Sequence, residues 1–365
     1  MEWFLHLDIF PFLAVLTTLV FVHEFGHYIV ARWNGVRVNE FSIGFGPELF
    51  GRNDKHGTRW KLCLIPLGGF VKMHGDTNAA SAPIGEVDMP EEEKKVAFPY
   101  KKLHQRAMIV AAGPAMNFLF AIVLMAGLFA IKGEPYAPAV VSEIMAESAA
   151  AKAGLQLHDR IISIDGKEIE RFSQVQRIAR FSAGKTLSFV IERGGAQRQV
   201  FVTLGTSALR DGKGGGAKIG LIGIKSKEIE TRYLKPVAAV ERAFTQTYEM
   251  SVDTFRSLYE IASGQRSFKE MGGPVKIAQV SGEVAHTTLA AFLMFIAMLS
   301  VNLGLVNLLP VPALDGGHLL YYAYEAIFRK PLSPRLQEAG AVLGVGMVML
   351  LVVVVTWNDL AQYFR

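Results

Sequence analysis

One cysteine, Cys63, in 365 residues excludes an internal disulfide and any zinc site built from thiolates. A metal in this chain has to be held by His, Asp or Glu. Charge is scarce too. Charged residues make up 19% of the chain against 51% hydrophobic ones, and the mean hydropathy is +0.28, which argues against a wholly soluble protein. The net charge of +5 is not gathered into a basic stripe interleaved with aromatics, so nucleic acid is not an expected partner. The apolar N-terminus lacks a basic n-region and a small-residue cleavage site, and is expected to be a retained span rather than a signal peptide. No internal repeat is present, and the glycine-rich stretch 212–216 lacks Walker spacing.

What the chain does have is long apolar runs. Four reach the ~20 residues that a bilayer-crossing helix needs: 9–31, 107–131, 289–309 and 339–357. Arg32, Arg37, Arg52, Lys55, Arg59, Lys61 and Lys72 follow the first run, and Lys94, Lys95, Lys101, Lys102 and Arg106 precede the second. Arg329, Lys330 and Arg335 lie between the third and fourth. The positive-inside rule makes both basic loops cytoplasmic. Both termini and the long segment 132–288 then face the other side, with the lipid bilayer as a partner throughout.

A first span (1–31) is expected to lead into a cytoplasmic loop (32–106). Within that loop, 59–73 reads as two short apolar strands around a Pro/Gly turn, too short to span, and 75–98 as a mobile polar linker. A second span (107–131) precedes a compact extracytoplasmic domain (132–225), with strands near 140–144, 160–164, 187–192 and 199–204, a helix over 173–179 and a hairpin turn at Asp165-Gly166. An amphipathic helical segment (226–288) leads to the third span and its C-terminal motif (289–318), a cytoplasmic loop (319–338), and the fourth span with its tail (339–365).

His23-Glu24-Phe25-Gly26-His27 is an H-E-x-x-H motif. On a helix, positions i and i+4 share a face, so both imidazoles reach one metal, and the Glu beside them reaches its bound water. The motif lies inside an apolar run, where one charged side chain costs roughly 3 kcal/mol even on lenient insertion scales. The bland alternative is a frayed helix end whose polar side chains reach the headgroups. A third ligand has to come from elsewhere. Asn307-Leu308-Leu309-Pro310-Val311-Pro312-Ala313-Leu314-Asp315-Gly316-Gly317-His318 offers Asp315, on the same membrane face as the first motif by the topology above. Asp315 also reads as a turn or helix cap, and His318 as a competing ligand.

These motifs, with Gly113-Pro114-Ala115-Met116-Asn117 in the second run, resemble the site-2 protease family in its bacterial regulator-of-sigma-E protease branch. The resemblance implies zinc held by His23, His27 and Asp315, with Glu24 as catalytic base, in a polytopic α-helical membrane protein of four transmembrane helices with a membrane-associated β-hairpin and an inserted α+β PDZ domain. The stretch Ala153-Gly154-Leu155 to Ile164-Asp165-Gly166 is similar to the centre of bacterial PDZ domains, which accept a peptide as an added strand. Only one such domain fits the insertion, where enterobacterial relatives carry two. The implied reaction is zinc-dependent hydrolysis within transmembrane segments of single-pass proteins, such as anti-sigma factors or signal-peptide remnants, after a first cut by another protease. The implied location is the bacterial inner membrane, with the PDZ domain periplasmic and the active site near the cytoplasmic side.

A strand through Gly68, Gly69, Phe70 and Val71 is expected to pair with the unwound substrate, and Asn307 to bond its backbone or the developing oxyanion. Asn117 either assists or simply ties helices together. Rival readings are a membrane zinc peptidase acting on soluble chains, a silent scaffold presenting its PDZ domain, and a transporter.

Overall fold

A computed structural model describes residues 9–76, 89–208, 218–264 and 272–363. The glycine-rich stretch 212–216, and residues 77–88 of the segment read as a linker, lie outside them. The described chain divides into two units, one formed by 1–127, 240–254 and 271–365 and the other by 128–239 and 255–270.

The first unit begins with α1 (Ile9–Trp33), followed by β1 (Val38–Asn53), β2 (Arg59–Met73) and α2 (Leu103–Lys132). The expectation of two short strands is half right. β2 breaks at Gly68, whose φ of 128° leaves ordinary strand geometry, but its two halves do not pair with each other. Both pair with β1, which the sequence pattern leaves as loop: Ser42 is a partner of Phe70 and also of Lys61, and Ile43 of both Gly69 and Leu62. Residues 40–43 therefore lie between the two halves, and 69–73 forms an edge with no further strand partner among the described residues. The β1 pattern is hidden because Gly44 and Gly46, at φ 88° and 83°, interrupt its alternation.

The segment read as a mobile linker is anchored at its far end. Arg37 N–H donates to Val96 O at 3.0 Å, Phe98 N–H donates to His74 O at 2.9 Å, and Phe98 is buried beside Phe41 and Ile109. An aromatic side chain in a core outweighs the polarity of the residues before it.

The second unit holds β3 (Glu134–Tyr136), β4 (Glu143–Ile144), α3 (Ala149–Lys152), β5 (Arg160–Ile164), β6 (Lys167–Glu168), α4 (Phe172–Arg180), β7 (Thr186–Arg193), β8 (Ala196–Thr203), β9 (Gly205–Ala208), β10 (Lys218–Leu221), β11 (Ile224–Lys225) and β12 (Glu230–Arg232). β6, β5, β7 and β8 form an antiparallel sheet in that order, over a core of Ile161, Ile164, Phe189, Ile191 and Val202. Asp165 and Gly166 both take positive φ in the β5–β6 turn, as a two-residue hairpin requires. α4 buries Phe172, Val175 and Ala179 on one face. The buried Asp159 is held by both Nε and Nη2 of Arg193, each at 2.7 Å, and by Gln156 N–H. The elements are those expected of a PDZ domain. The expected end at 225 falls short, however. β12 pairs with β3 in the register Glu134↔Arg232, so the domain closes on itself beyond that point. Arg171 seals that clasp through a buried ion pair to Glu134.

The remaining segment read as amphipathic contains two helices, α5 (Pro236–Ala262) and α6 (Pro274–Ala285). After them come α7 (Leu289–Asn307), α8 (Asp315–Phe328) and α9 (Pro334–Tyr363). α1, α2, α7 and α9 are each long and apolar enough to cross a membrane. For α9 only 11% of the most apolar window is buried within the chain. Val342, Leu343, Met347 and Leu350 stay exposed, a surface that is stable in lipid and costly in water. Within the first unit, Val15 and Leu19 of α1 pack with Phe295 and Ile296 of α7.

Candidate metal centre

Pro11 falls in the first turn of α1, where no intrahelical bond is lost, and no proline follows it up to Trp33, so His23 and His27 fall one turn apart on a single face. That face is pressed onto α2 through two glycines. A Cβ on Gly26 would run into the Ala112 carbonyl, and a Cβ on Gly113 would run into the His27 ring and lie 2.9 Å from His23 Cε1. α2 thus contributes a wall against which both imidazoles stand, their planes at 84° to each other.

The third group arrives from α7. That helix ends at Asn307, and the loop through Pro310 and Pro312 turns back on itself before α8 starts at Asp315. Gly316 and Gly317 are required there, since a Cβ on either would strike the carbonyls of Leu308, Leu309 or Val311. Ala313 sits at φ 83°, a conformation that costs a non-glycine residue of the order of 1–3 kcal/mol and tends to occur at functional sites. α9 supports the loop from behind. Gly340 and Gly344, one turn apart, leave room for Tyr321 and for the Pro312 carbonyl.

The result is a triangle of donor atoms. His23 Nε2 lies 3.2 Å from His27 Nε2 and 3.2 Å from Asp315 Oδ2, and His27 Nε2 lies 3.5 Å from Asp315 Oδ2. Ligands at ~2.1 Å from a tetrahedral centre stand about 3.3–3.4 Å apart, so the triangle has the size of one face of a zinc tetrahedron and leaves the fourth corner open. Asp315 Oδ2 is buried with no hydrogen-bond donor, as a metal-ligating oxygen requires. Among the described residues these three are the group that can hold a metal, and His318 is not part of it. His27 Nδ1 lies 2.9 Å from the Ile109 carbonyl, which can only accept. The ring proton is therefore on Nδ1, and the Nε2 lone pair points into the triangle. The residues present fit a zinc ion.

One cavity of about 170 Å³ is lined by His23, Glu24, His27 and Asp315, by Gly69, Phe70 and Val71 of the β2 edge, and by Asn307. Glu24 and Val71 thus face the same space. Gly68, expected among the substrate-facing residues, packs against the Phe45 ring instead and does not line the cavity. Asn117 is also outside the lining, with its Nδ2 3.1 Å from His23 Nδ1. His318 does line the cavity and is buried.

The Ile109 carbonyl could not be found from the sequence, because a backbone acceptor carries no residue signature. Nor could the anchor of the sheet on α1. Asp54, at the β1–β2 turn, is opposed by its burial, yet Trp60 Nε1, the Thr58 and His56 N–H groups and Tyr28 O–H hold its carboxyl down to about 2.

The profile of peptidase family M50 matches residues 11–352 of this chain. A protein of Mesorhizobium japonicum is 46% identical over 357 residues, covering 96% of this chain and 97% of its own length. One of Agrobacterium fabrum is 42% identical over 360 residues, covering 97% and 96%. Both carry zinc metalloprotease as a provisional name. The zinc metalloprotease RasP of Geobacillus kaustophilus is 31% identical over 424 residues, covering 98% of each chain. Among solved structures, the PDZ domain of an SdrC-like protein from Listeria monocytogenes is 20% identical over 25% of this chain and 90% of its own, with a TM-score of 0.21.

Proposed function

The chain belongs to peptidase family M50, a zinc metalloprotease of the bacterial inner membrane, and from that premise we propose that it hydrolyses peptide bonds inside the transmembrane segments of single-pass proteins. The observation that carries this reading is the shared cavity: three metal-ligand atoms, one carboxylate and an unpaired strand edge open onto the same space within a bundle of apolar helices.

His23, His27 and Asp315 would hold a zinc ion. When bound, zinc supplies Lewis-acid polarisation of a carbonyl and lowers the pKa of a water from about 16 towards 7. Glu24 takes a proton from the attacking water and passes it to the leaving amine. A membrane-spanning helix keeps its carbonyls in i→i−4 bonds, so a substrate has to unwind locally before attack. The edge at Gly69, Phe70 and Val71 offers the unwound segment replacement hydrogen bonds in an environment with no competing water. Asn307 offers both a donor and an acceptor to the substrate backbone or the developing oxyanion.

In this reading the basic loops are cytoplasmic, the site lies near that face, and the PDZ domain is periplasmic and receives a peptide or substrate tail. The expected substrates are anti-sigma factors or signal-peptide remnants already trimmed by a first protease.

The test is cleavage, in detergent, of a single-pass substrate truncated on its extracytoplasmic side, by wild type and Glu24→Gln, with the cut mapped by mass spectrometry. A cut within the span that disappears in the variant is expected. Zinc-loaded protein that cuts only soluble chains overturns the reading in favour of a peptidase for those chains. Protein that binds no zinc points to the scaffold.

A further inference from the structure

We infer that Asn117 is a positioning residue that fixes the tautomer of His23 by accepting a hydrogen bond from its Nδ1. The inference rests on the reading of His23 as a zinc ligand.

Three observations carry it. First, His23 Nε2 is a corner of the donor triangle. A neutral imidazole that gives its Nε2 lone pair to a metal keeps its proton on Nδ1, and that Nδ1–H needs an acceptor. Second, the side-chain atom beside His23 Nδ1 is Asn117 Nδ2, 3.1 Å away. An NH₂ group facing an Nδ1–H sets two donors against each other. Third, Asn117 is fully buried, and its Oδ1 has no hydrogen-bond partner. Exchanging the ends of the carboxamide relieves the donor–donor contact and leaves the shape of the side chain almost unchanged. After the exchange, Oδ1 accepts from His23 Nδ1–H.

The orientation with NH₂ towards His23 suits the other tautomer, in which Nδ1 accepts and Nε2–H faces Asp315. Turning over does not satisfy both ends of the amide, because the NH₂ moves to where the oxygen had no partner. What decides the orientation is the contact with His23, because a donor facing a donor in a low-dielectric site is costlier than an unmade bond alone.

The surroundings suit this role. Ser300 of α7 donates to the Asn117 backbone carbonyl at 2.9 Å, and Gly304 approaches Asn117 Cβ, so the residue is held from the side away from the metal. His27 receives the corresponding support from the Ile109 carbonyl on the same helix, one face of α2 thus orienting both imidazoles.

The experiment measures zinc affinity by chelator competition in detergent for wild type, Asn117→Ala, Asn117→Asp and His23→Ala, with thermal melting of each apo form to report folding. Asp is nearly isosteric with Asn and can only accept. Asn117→Asp is expected to bind zinc within about threefold of wild type or more tightly, and Asn117→Ala about 10- to 100-fold more weakly, the usual cost of losing the group behind a metal-ligating histidine. Zinc binding by Asn117→Ala equal to wild type overturns the inference. So does weak binding by Asn117→Asp in a folded apo protein, which would mean that the NH₂ group is what matters. If Asn117→Ala does not fold, the Asn117→Asp result decides alone. Undiminished affinity in His23→Ala would refute the ligand assignment itself, whereas loss there with none in Asn117→Ala would refute only the inference about Asn117.

Discussion

Gly113 of α2 stands directly against His27 of α1, so close that no side chain fits between the helix backbone and the ring. The motif that supplies two corners of the donor triangle is thus held by a residue with no chemistry of its own. Gly113→Ala is expected to push His27, and with it His23, out of the donor triangle, lowering zinc per protein at least tenfold while the four apolar helices still insert. Metal analysis of detergent-purified protein checks this, and a full zinc complement would show that the helices can part without cost.

Asp315→Ala removes one corner of the triangle. Zinc stoichiometry should fall well below one, with the melting behaviour of the zinc-free protein little changed. An unchanged metal content would move the third ligand elsewhere, with His318 the first place to look, since it lines the same cavity.

Val71→Pro tests the strand edge separately from the metal. The substitution removes a backbone N–H from the edge strand and blocks pairing along 69–73. Zinc should stay bound while cleavage of the truncated single-pass substrate slows at least tenfold. Normal rates would reduce this strand to packing.

Gly344→Val probes the support behind the Asp315 loop. Its side chain would collide with the Pro312 carbonyl, a backbone atom that yields only if helix or loop shifts. Overpacking of this kind costs about 2–3 kcal/mol, and here it should also lower zinc affinity. Gly346, two residues on, meets nothing within 4 Å and serves as the control: Gly346→Val should leave both unchanged.

Asp54 gives the sheet an acid-sensitive anchor. Its folded pKa of about 2 lies below the unfolded value of ~3.9. The stability it contributes is therefore fully present above about pH 4 and is lost as pH falls towards 2. Asp54→Asn should remove that acid dependence and loosen the sheet at neutral pH, read as faster amide exchange at residues 59–62.

Much of the site could be read from the residues. His23, Glu24 and His27 lie four residues apart or fewer, so helix periodicity alone puts the two imidazoles on one face, and an intramembrane cluster of ionisable groups demands a function. Asp315 was readable because two prolines and two glycines announce a sharp return of the chain beside it. The β1 strand was not readable, since its glycines break the alternation on which strand recognition depends and its partner lies on both of its flanks.

The sequence by itself determined the class of chemistry, the four apolar helices and the pairing of His23 with His27, because these follow from residue type and from spacing within one helix, and it offered Asp315 and His318 as candidates for the third donor. Only the tertiary structure decided that the three donors stand 3.2–3.5 Å apart, that Gly113 and Ile109 of a different helix orient the rings, and that the cavity opens onto an unpaired strand edge. Those relations join residues far apart in the chain, and no local preference encodes a distance between two helices. Close packing sets it, through the small residues that let their backbones meet.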